Sequence, residues 1–307
     1  MPGTWRALAP AKINLGLFHG PRREDGRHEL VTVMQSISLA DEVTLGPAPA
    51  GADGDIVVCP GVEGPNLAAD ALAAFRAATG WDAPPQQLTI DKRIPVAAGL
   101  AGGSADAAAT LRLAARAARL GDGRVLHDLA VELGADVPAQ VVPGRWLATG
   151  AGEVLEPLPD PTPSFGVLVL PSDEELSTAS VYAQADRMGI GHDPVHLARL
   201  HRDLRSALAL GVSVPPTVLL VNELAPAAVA LRPHIEASLS QARDAGADFA
   251  MVSGSGPTAF GLFVRANIRG RLERALHALE GREPAVVAAE PVTRDFGTAV
   301  PADGASQ

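Results

Sequence analysis

Apolar and polar residues alternate near the start of the chain. Ile13, Leu15 and Leu17 fall on one face of an extended segment and Lys12 and Asn14 on the other. Residues 5–18 therefore read as one or two strands, broken at Pro10. A turn rich in charge and glycine, 21–26, leads to a second alternating run, 30–39, and 42–45 and 56–59 read as a strand pair. The period then changes. Asn66 is placed to cap a helix that runs to about 79 and ends at Gly80. A strand over 88–94 feeds the segment Pro95-Val96-Ala97-Ala98-Gly99-Leu100-Ala101-Gly102-Gly103-Ser104, and an Ala-rich helix follows over 104–120. Arg112, Arg116 and Arg119 form one wet stripe on that otherwise apolar cylinder. Asp122 caps a helix to 133, Gly134 ends it, Asp136-Val137-Pro138 opens a short helical turn, and 145–149 pairs with 154–157. Prolines 157, 159, 161 and 163 mark a boundary, giving domains 1–158 and 159–296 and a mobile tail, 297–307. Beyond it the pattern predicts strands over 165–170, 247–252, 259–264 and 285–290. Helices are predicted over 178–188, through 210, over 222–245 and over 268–279. Strands and helices mix without regular βαβ alternation, so the fold class is α+β.

Composition narrows the setting. With 307 residues, 47% hydrophobic but only 4% aromatic, the core must be aliphatic and closely packed. A net charge of −10 argues against general binding to nucleic acid or membrane surfaces, while leaving room for a small anionic ligand held by a local positive field. The single cysteine, Cys59, excludes an intramolecular disulfide and suits a reducing compartment. The first residues lack the apolar run of a signal peptide, and no apolar run is long enough to span a bilayer. The expected setting is cytoplasmic, with a small-molecule partner, no nucleic acid and no membrane; the oligomeric state stays open.

The glycine stretch joins a strand to a helix start, where orphan N–H groups and the helix dipole favour an anion. It lacks the Gly-Lys-Ser/Thr of a Walker loop and the G-x-G-x-x-G of a dinucleotide fingerprint. It reads equally as a bare turn capped by Ser104 or as a phosphate cradle with the Ser104 hydroxyl facing Mg²⁺. Asp106 in the same first turn favours the dipole but would repel phosphate, so it is expected to point away from the phosphates or towards a metal. Asp136 is either a plain helix cap or a carboxylate that takes a proton. Lys12, opposite an apolar strand face, either faces a cleft or snorkels. His28 follows a turn carrying Arg22, Arg23 and Arg27; these charges are either a solvated face or a complement to a polyanion.

Five strings together carry a resemblance: Pro10-Ala11-Lys12-Ile13-Asn14-Leu15, Asp25-Gly26-Arg27-His28-Glu29, Pro95 to Ala108, Leu133-Gly134-Ala135-Asp136-Val137-Pro138, and Val252-Ser253-Gly254-Ser255-Gly256-Pro257-Thr258. In this order they resemble the 4-diphosphocytidyl-2-C-methyl-D-erythritol kinase branch of the GHMP superfamily, which also holds galactokinase, homoserine kinase, mevalonate kinase and phosphomevalonate kinase. The resemblance spans residues 10–258. It implies two α+β domains, the first like ribosomal-protein S5 domain 2 and the second ferredoxin-like. It also implies transfer of the γ-phosphoryl group of ATP, with Mg²⁺, to the 2-hydroxyl of 4-diphosphocytidyl-2-C-methyl-D-erythritol in the non-mevalonate route to isoprenoid precursors. By position, Asp136 would take the hydroxyl proton, and Lys12 would hold Asp136 ionised and offset transition-state charge. The stretch from Pro95 to Ser104 would wrap the ATP phosphates, with Asn66 near the nucleoside. Asn14, Arg27, His28 and Thr178 would meet the cytidyl substrate, and Tyr182 the cytosine. Five residues depart from the family pattern: Arg27 stands where Tyr is usual, Ala101 where Gly is common, Ala105 where Ser is common, and Arg145-Trp146 where small residues are usual. Ala101 is accordingly expected at negative φ. The alternatives are a sister kinase of the homoserine or mevalonate type, and a nucleotide-binding regulator without catalysis.

Overall fold

The computed structural model describes residues 3–302. Its frame is one long antiparallel pair, β1 (Trp5–Arg22) and β2 (His28–Pro47), joined by the charged turn. Pro10 does not break β1. The ladder shifts register between Pro10 and Lys12, and this bulge absorbs a residue that cannot donate to its neighbour. The expected pairing of 42–45 with 56–59 does not form. β3 (Ile56–Val58) is only partly buried, and β4 (Gln86–Asp91), whose Leu88 and Ile90 are fully buried, takes the inner place between β2 and β3.

Helices cover this sheet. α1 (Leu67–Thr79) starts where the Asn66 side chain accepts from the Ala68 N–H, at 3.0 Å, and ends at Gly80 with φ 64°. It packs Leu72 and Phe75 against α2 (Gly102–Ala118), whose alanines let the two helices approach closely. Complete burial of a side chain the size of Leu or Phe contributes about 1.5–3 kcal/mol. The expected wet stripe on α2 is only partly formed: Arg112 turns inward and donates to the carbonyls of Leu8 and Gln140. Burial holds its guanidinium pKa down at about 10. α3 (Gly123–Leu133), capped by Asp122, and α4 (Val137–Val141) follow, then the hairpin β5 (Arg145–Thr149) and β6 (Val154–Pro157), which pairs through β5 with β2.

The second sheet is wholly antiparallel, in the order β10 (Val287–Ala289), β7 (Gly166–Leu170), β9 (Ala259–Phe263), β8 (Phe249–Val252). Its helices are α5 (Thr178–Arg187), α6 (Pro194–Leu208), α7 (Ala225–Leu231), α8 (His234–Asp244) and α9 (Ile268–Ala278). The single helical stretch expected over 222–245 divides at Pro233, which has no N–H to continue the helix. Among the described residues no helix is long and apolar enough to cross a membrane.

The sequence pattern predicts a mobile tail from 297, but the fold continues to 302. A 3₁₀ turn (Arg294–Gly297) leads to β11 (Val300–Pro301), which adds to the open edge of β1. Residues 303–307 lie outside the described residues. One hydrophobic cluster joins the halves: Ile13 and Leu15 of β1 pack with Phe165, Val167, Leu200 and Phe260 of the second half. A large cleft opens along this junction.

Candidate active site

The glycine stretch is wound rather than simply bent. Ala97 (φ 55°), Gly99 (φ 73°) and Ala101 (φ 58°) are left-handed, and the residues between them are not. Such alternation turns successive N–H groups towards one concave side, which is an anion nest. Ala101 thus contradicts the expected negative φ. It is itself the N-cap of α2, and the entry into a buried Ala-rich helix sets its backbone, at a cost of about 1–2 kcal/mol. Ser104 is consequently not a cap; it sits in the first turn, on the edge of the cleft. Leu100 does not line the cleft. Its side chain is in the core, and its carbonyl accepts from the Lys12 N–H at 3.0 Å.

The second Gly/Ser turn closes against the first. The Ser253 hydroxyl donates to Gly99 O at 3.1 Å, and a Cβ on Gly99 would sit 2.6 Å from both Ser253 O and Gly256 O. Lys12 ends at this junction. Its Nζ donates to Asn14 Oδ1 (3.0 Å) and Gly99 O (3.2 Å), and lies 4.0 Å from Asp136 Oδ2. The lysine side chain is 7% exposed and the carboxylate 37%. Asp136 stands at the N-cap position of α4 in right-handed conformation with no side-chain cap bond, so its carboxylate is free to face the cleft.

A cavity of about 1010 Å³ gathers the remaining candidates. Every candidate site residue lines it except Leu100. Asn14 Nδ2 donates to Thr32 Oγ1 at 2.8 Å, which fixes its amide. Thr178 Oγ1 meets Ser255 Oγ at 3.0 Å. Tyr182 stacks on His28, with centroids 4.9 Å apart and planes 18° off parallel. Burial raises the Tyr182 phenol pKa, so it stays protonated. Arg27 lies on the rim, its guanidinium bound to Asp25 at 2.9–3.0 Å. Asn66, besides capping α1, also lines the cavity, as do Cys59 and Leu67.

Asp106 turns one carboxylate oxygen into a buried ion cluster. It is buried and turned to Lys92, at 2.8 Å, and the same ammonium binds the fully buried Asp41. Burial, with Asp41 close by, raises the Asp106 carboxyl to about 7, since two carboxylates share one cation. Its Oδ1 has no protein partner. Burial works against the Lys92 charge, but the two carboxylates outweigh it and its pKa is raised.

Sequence reasoning missed several residues here. Asp41 reaches the site through a pairing across 53 positions, which no local pattern announces. Asp186, whose carboxylate meets His28 Nε2 at 3.0 and 3.2 Å, had a signal: it lies four residues after Tyr182 and eight after Thr178, on one helix face. His19 is fully buried and edge-on to both His28 and Tyr182, and burial lowers its pKa.

Comparison with known proteins identifies the family. A family model described as the GHMP kinases N terminal domain matches residues 66–144, and one described as GHMP kinases C terminal matches 198–282. A 4-diphosphocytidyl-2-C-methyl-D-erythritol kinase of Anaeromyxobacter dehalogenans (strain 2CP-1) is 41% identical over 288 residues, covering 90% of this chain and 85% of the relative. The kinase of that name from Thermobifida fusca (strain YX) is 40% identical over 303 residues, covering 95% and 97%. A crystal structure of a 4-(cytidine 5'-diphospho)-2C-methyl-D-erythritol kinase superposes with a TM-score of 0.73 at 34% identity, over 93% of this chain and 98% of that one. Homoserine kinase from Cytophaga hutchinsonii shares the fold, with a TM-score of 0.68 at 16% identity over 98% of each chain.

Proposed function

The chain belongs to the GHMP kinases, with their two-domain α+β fold, and from that premise we propose how it transfers the γ-phosphoryl group of ATP to the 2-hydroxyl of 4-diphosphocytidyl-2-C-methyl-D-erythritol. The observation that carries the mechanism is the uncapped Asp136 carboxylate 4.0 Å from the buried Lys12 ammonium, beside the anion nest. Phosphoryl transfer asks mainly for positioning and for charge where charge develops. Asp136 accepts the proton as the hydroxyl attacks. Lys12, held by Asn14 and Gly99 O, points its charge at the transferring group. The N–H groups of residues 97–104 and the α2 dipole hold the β- and γ-phosphates. Asn66, with the apolar wall around Leu67, takes the nucleoside of ATP. Asn14, His28, Thr178 and Tyr182 take the cytidyl acceptor, and Arg27 lines the rim of the same pocket with its guanidinium engaged by Asp25.

Mg²⁺ fits the donor set at the α2 start, a hydroxyl and a carboxylate oxygen with no protein partner. Ser104, with Asp106 behind it, would hold the ion, which when bound neutralises phosphate charge. The division into an ATP-binding part (1–158) and a substrate-side part (159–296), and a cytoplasmic setting, belong to this proposal. Each sheet and its own hydrophobic cluster support the division.

The test is an acceptor panel with Mg-ATP. ADP should form with the cytidyl acceptor and stay at background with homoserine or mevalonate. Equal turnover of homoserine or mevalonate would assign a sister kinase, and no turnover with any acceptor would assign a nucleotide-binding regulator.

A further inference from the structure

One face of α5 forms the wall of the cavity: Thr178, Tyr182 and Asp186, spaced i, i+4, i+8, all line it. Eight residues of helix span about 12 Å. The Thr178 end meets Ser255 of the turn that also reaches Lys12: a Cβ on Gly254 would lie 3.0 Å from Lys12 Nζ. This is the end where phosphoryl transfer occurs. The Asp186 end meets His28 and is remote from it. An acceptor laid along this wall, with its hydroxyl at Asp136, presents its nucleobase to Asp186.

The chemistry of that end is specific. An ionised carboxylate only accepts hydrogen bonds, at about four lone-pair positions. The His28 Nε2–H lies 3.0 and 3.2 Å from the two Asp186 oxygens and satisfies part of that capacity. Asp186 lines the cavity and its side chain is 50% exposed, so the rest of that capacity is open to a ligand there. His28 cannot readily swing away. It is stacked on Tyr182 and met edge-on by the buried His19, so it holds the carboxylate in one place.

We propose that Asp186 determines the base specificity of the acceptor: its carboxylate accepts a hydrogen bond from the exocyclic amino group of cytosine and rejects uracil. Uracil carries a carbonyl oxygen at that position, and its lone pairs would oppose the carboxylate. The inference rests on the acceptor reading given under Proposed function and adds to it the residue that reads the base.

Binding of CDP and of UDP, measured by equilibrium titration, separates the two claims. The wild-type protein should prefer CDP by about tenfold or more, the range of one good base-edge contact. In Asp186→Asn the side-chain amide offers a donor to the uracil oxygen, so the preference should fall to near unity or reverse. In Asp186→Ala it should fall without reversing. Thermal melting checks that both variants fold. With the cytidyl acceptor, Asp186→Asn should raise KM more than it lowers kcat. A wild-type CDP preference retained by Asp186→Asn overturns the proposal. Equal wild-type affinity for CDP and UDP also overturns it while leaving the acceptor reading intact. Wild-type protein that binds neither ligand refutes the acceptor reading, and the base assignment falls with it.

Discussion

Gly99→Ala tests whether the two Gly/Ser turns meet as one built junction. Gly99 has φ 73°, a left-handed backbone that costs an L-residue about 1–2 kcal/mol. The added Cβ would also lie 2.6 Å from Ser253 O and 2.6 Å from Gly256 O. Both are backbone atoms of the facing turn and cannot rotate away. Overpacking of this kind costs about 1–3 kcal/mol. The sum predicts a loss of about 2–5 kcal/mol. It also predicts a lower kcat, because opening the junction moves Gly99 O and the Ser253 turn, which position Lys12 Nζ. Urea unfolding and steady-state kinetics measure the two effects. Gly103→Ala is the control: nothing lies within 4 Å of its Cβ, and in a helix Ala is favoured over Gly by about 0.5–1 kcal/mol, so stability should hold or rise. Wild-type stability and kcat in Gly99→Ala would refute the reasoning.

The other predictions concern charge. Asp136→Asn should cut kcat by about 10² or more while ATP affinity, read by titration, stays near normal; a near wild-type kcat would return Asp136 to the role of a helix terminus. Arg27→Tyr should lower KM for the cytidyl acceptor, because the Arg27 guanidinium is engaged by Asp25 on the rim; an unchanged or raised KM would show that Arg27 itself binds the acceptor. Asp106 has a folded-state pKa raised to about 7, against about 3.9 unfolded. Between those values the folded state keeps a proton that the unfolded chain has lost, so this group's contribution to stability declines as pH rises from about 4 to about 7 and is flat above. Asp106→Asn should therefore weaken the loss of stability between pH 5 and pH 7.5, measured without nucleotide; an unchanged slope contradicts the assignment.

Much of this was legible in local pattern. The caps at Asn66 and Asp122, the Gly80 stop and the β5–β6 hairpin depend on neighbours in sequence, and all form as expected. The glycine stretch, Lys12 and Asp136 were recognisable as candidates because each sits at a strand-to-helix turn, on a strand face or at a helix start. What failed was long-range. The placing of β4 between β2 and β3 depends on which strand buries more apolar surface, not on which comes next. Arg112 follows the surface period of its helix, yet it finds two carbonyls inside. Ala101 accepts a left-handed backbone because the buried alanine face of α2 sets where the helix must begin. Lys12 and Asp136 are 124 positions apart, and only the fold brings them to 4.0 Å.

The most direct test of the central claim is product analysis by ³¹P NMR after turnover of Mg-ATP with the cytidyl acceptor. The Lys12–Asp136 geometry predicts one new phosphomonoester on the acceptor for each ADP formed, with the acceptor's diphosphate intact. ADP accompanied by free phosphate and no phosphomonoester, or cleavage of the diphosphate, would contradict it.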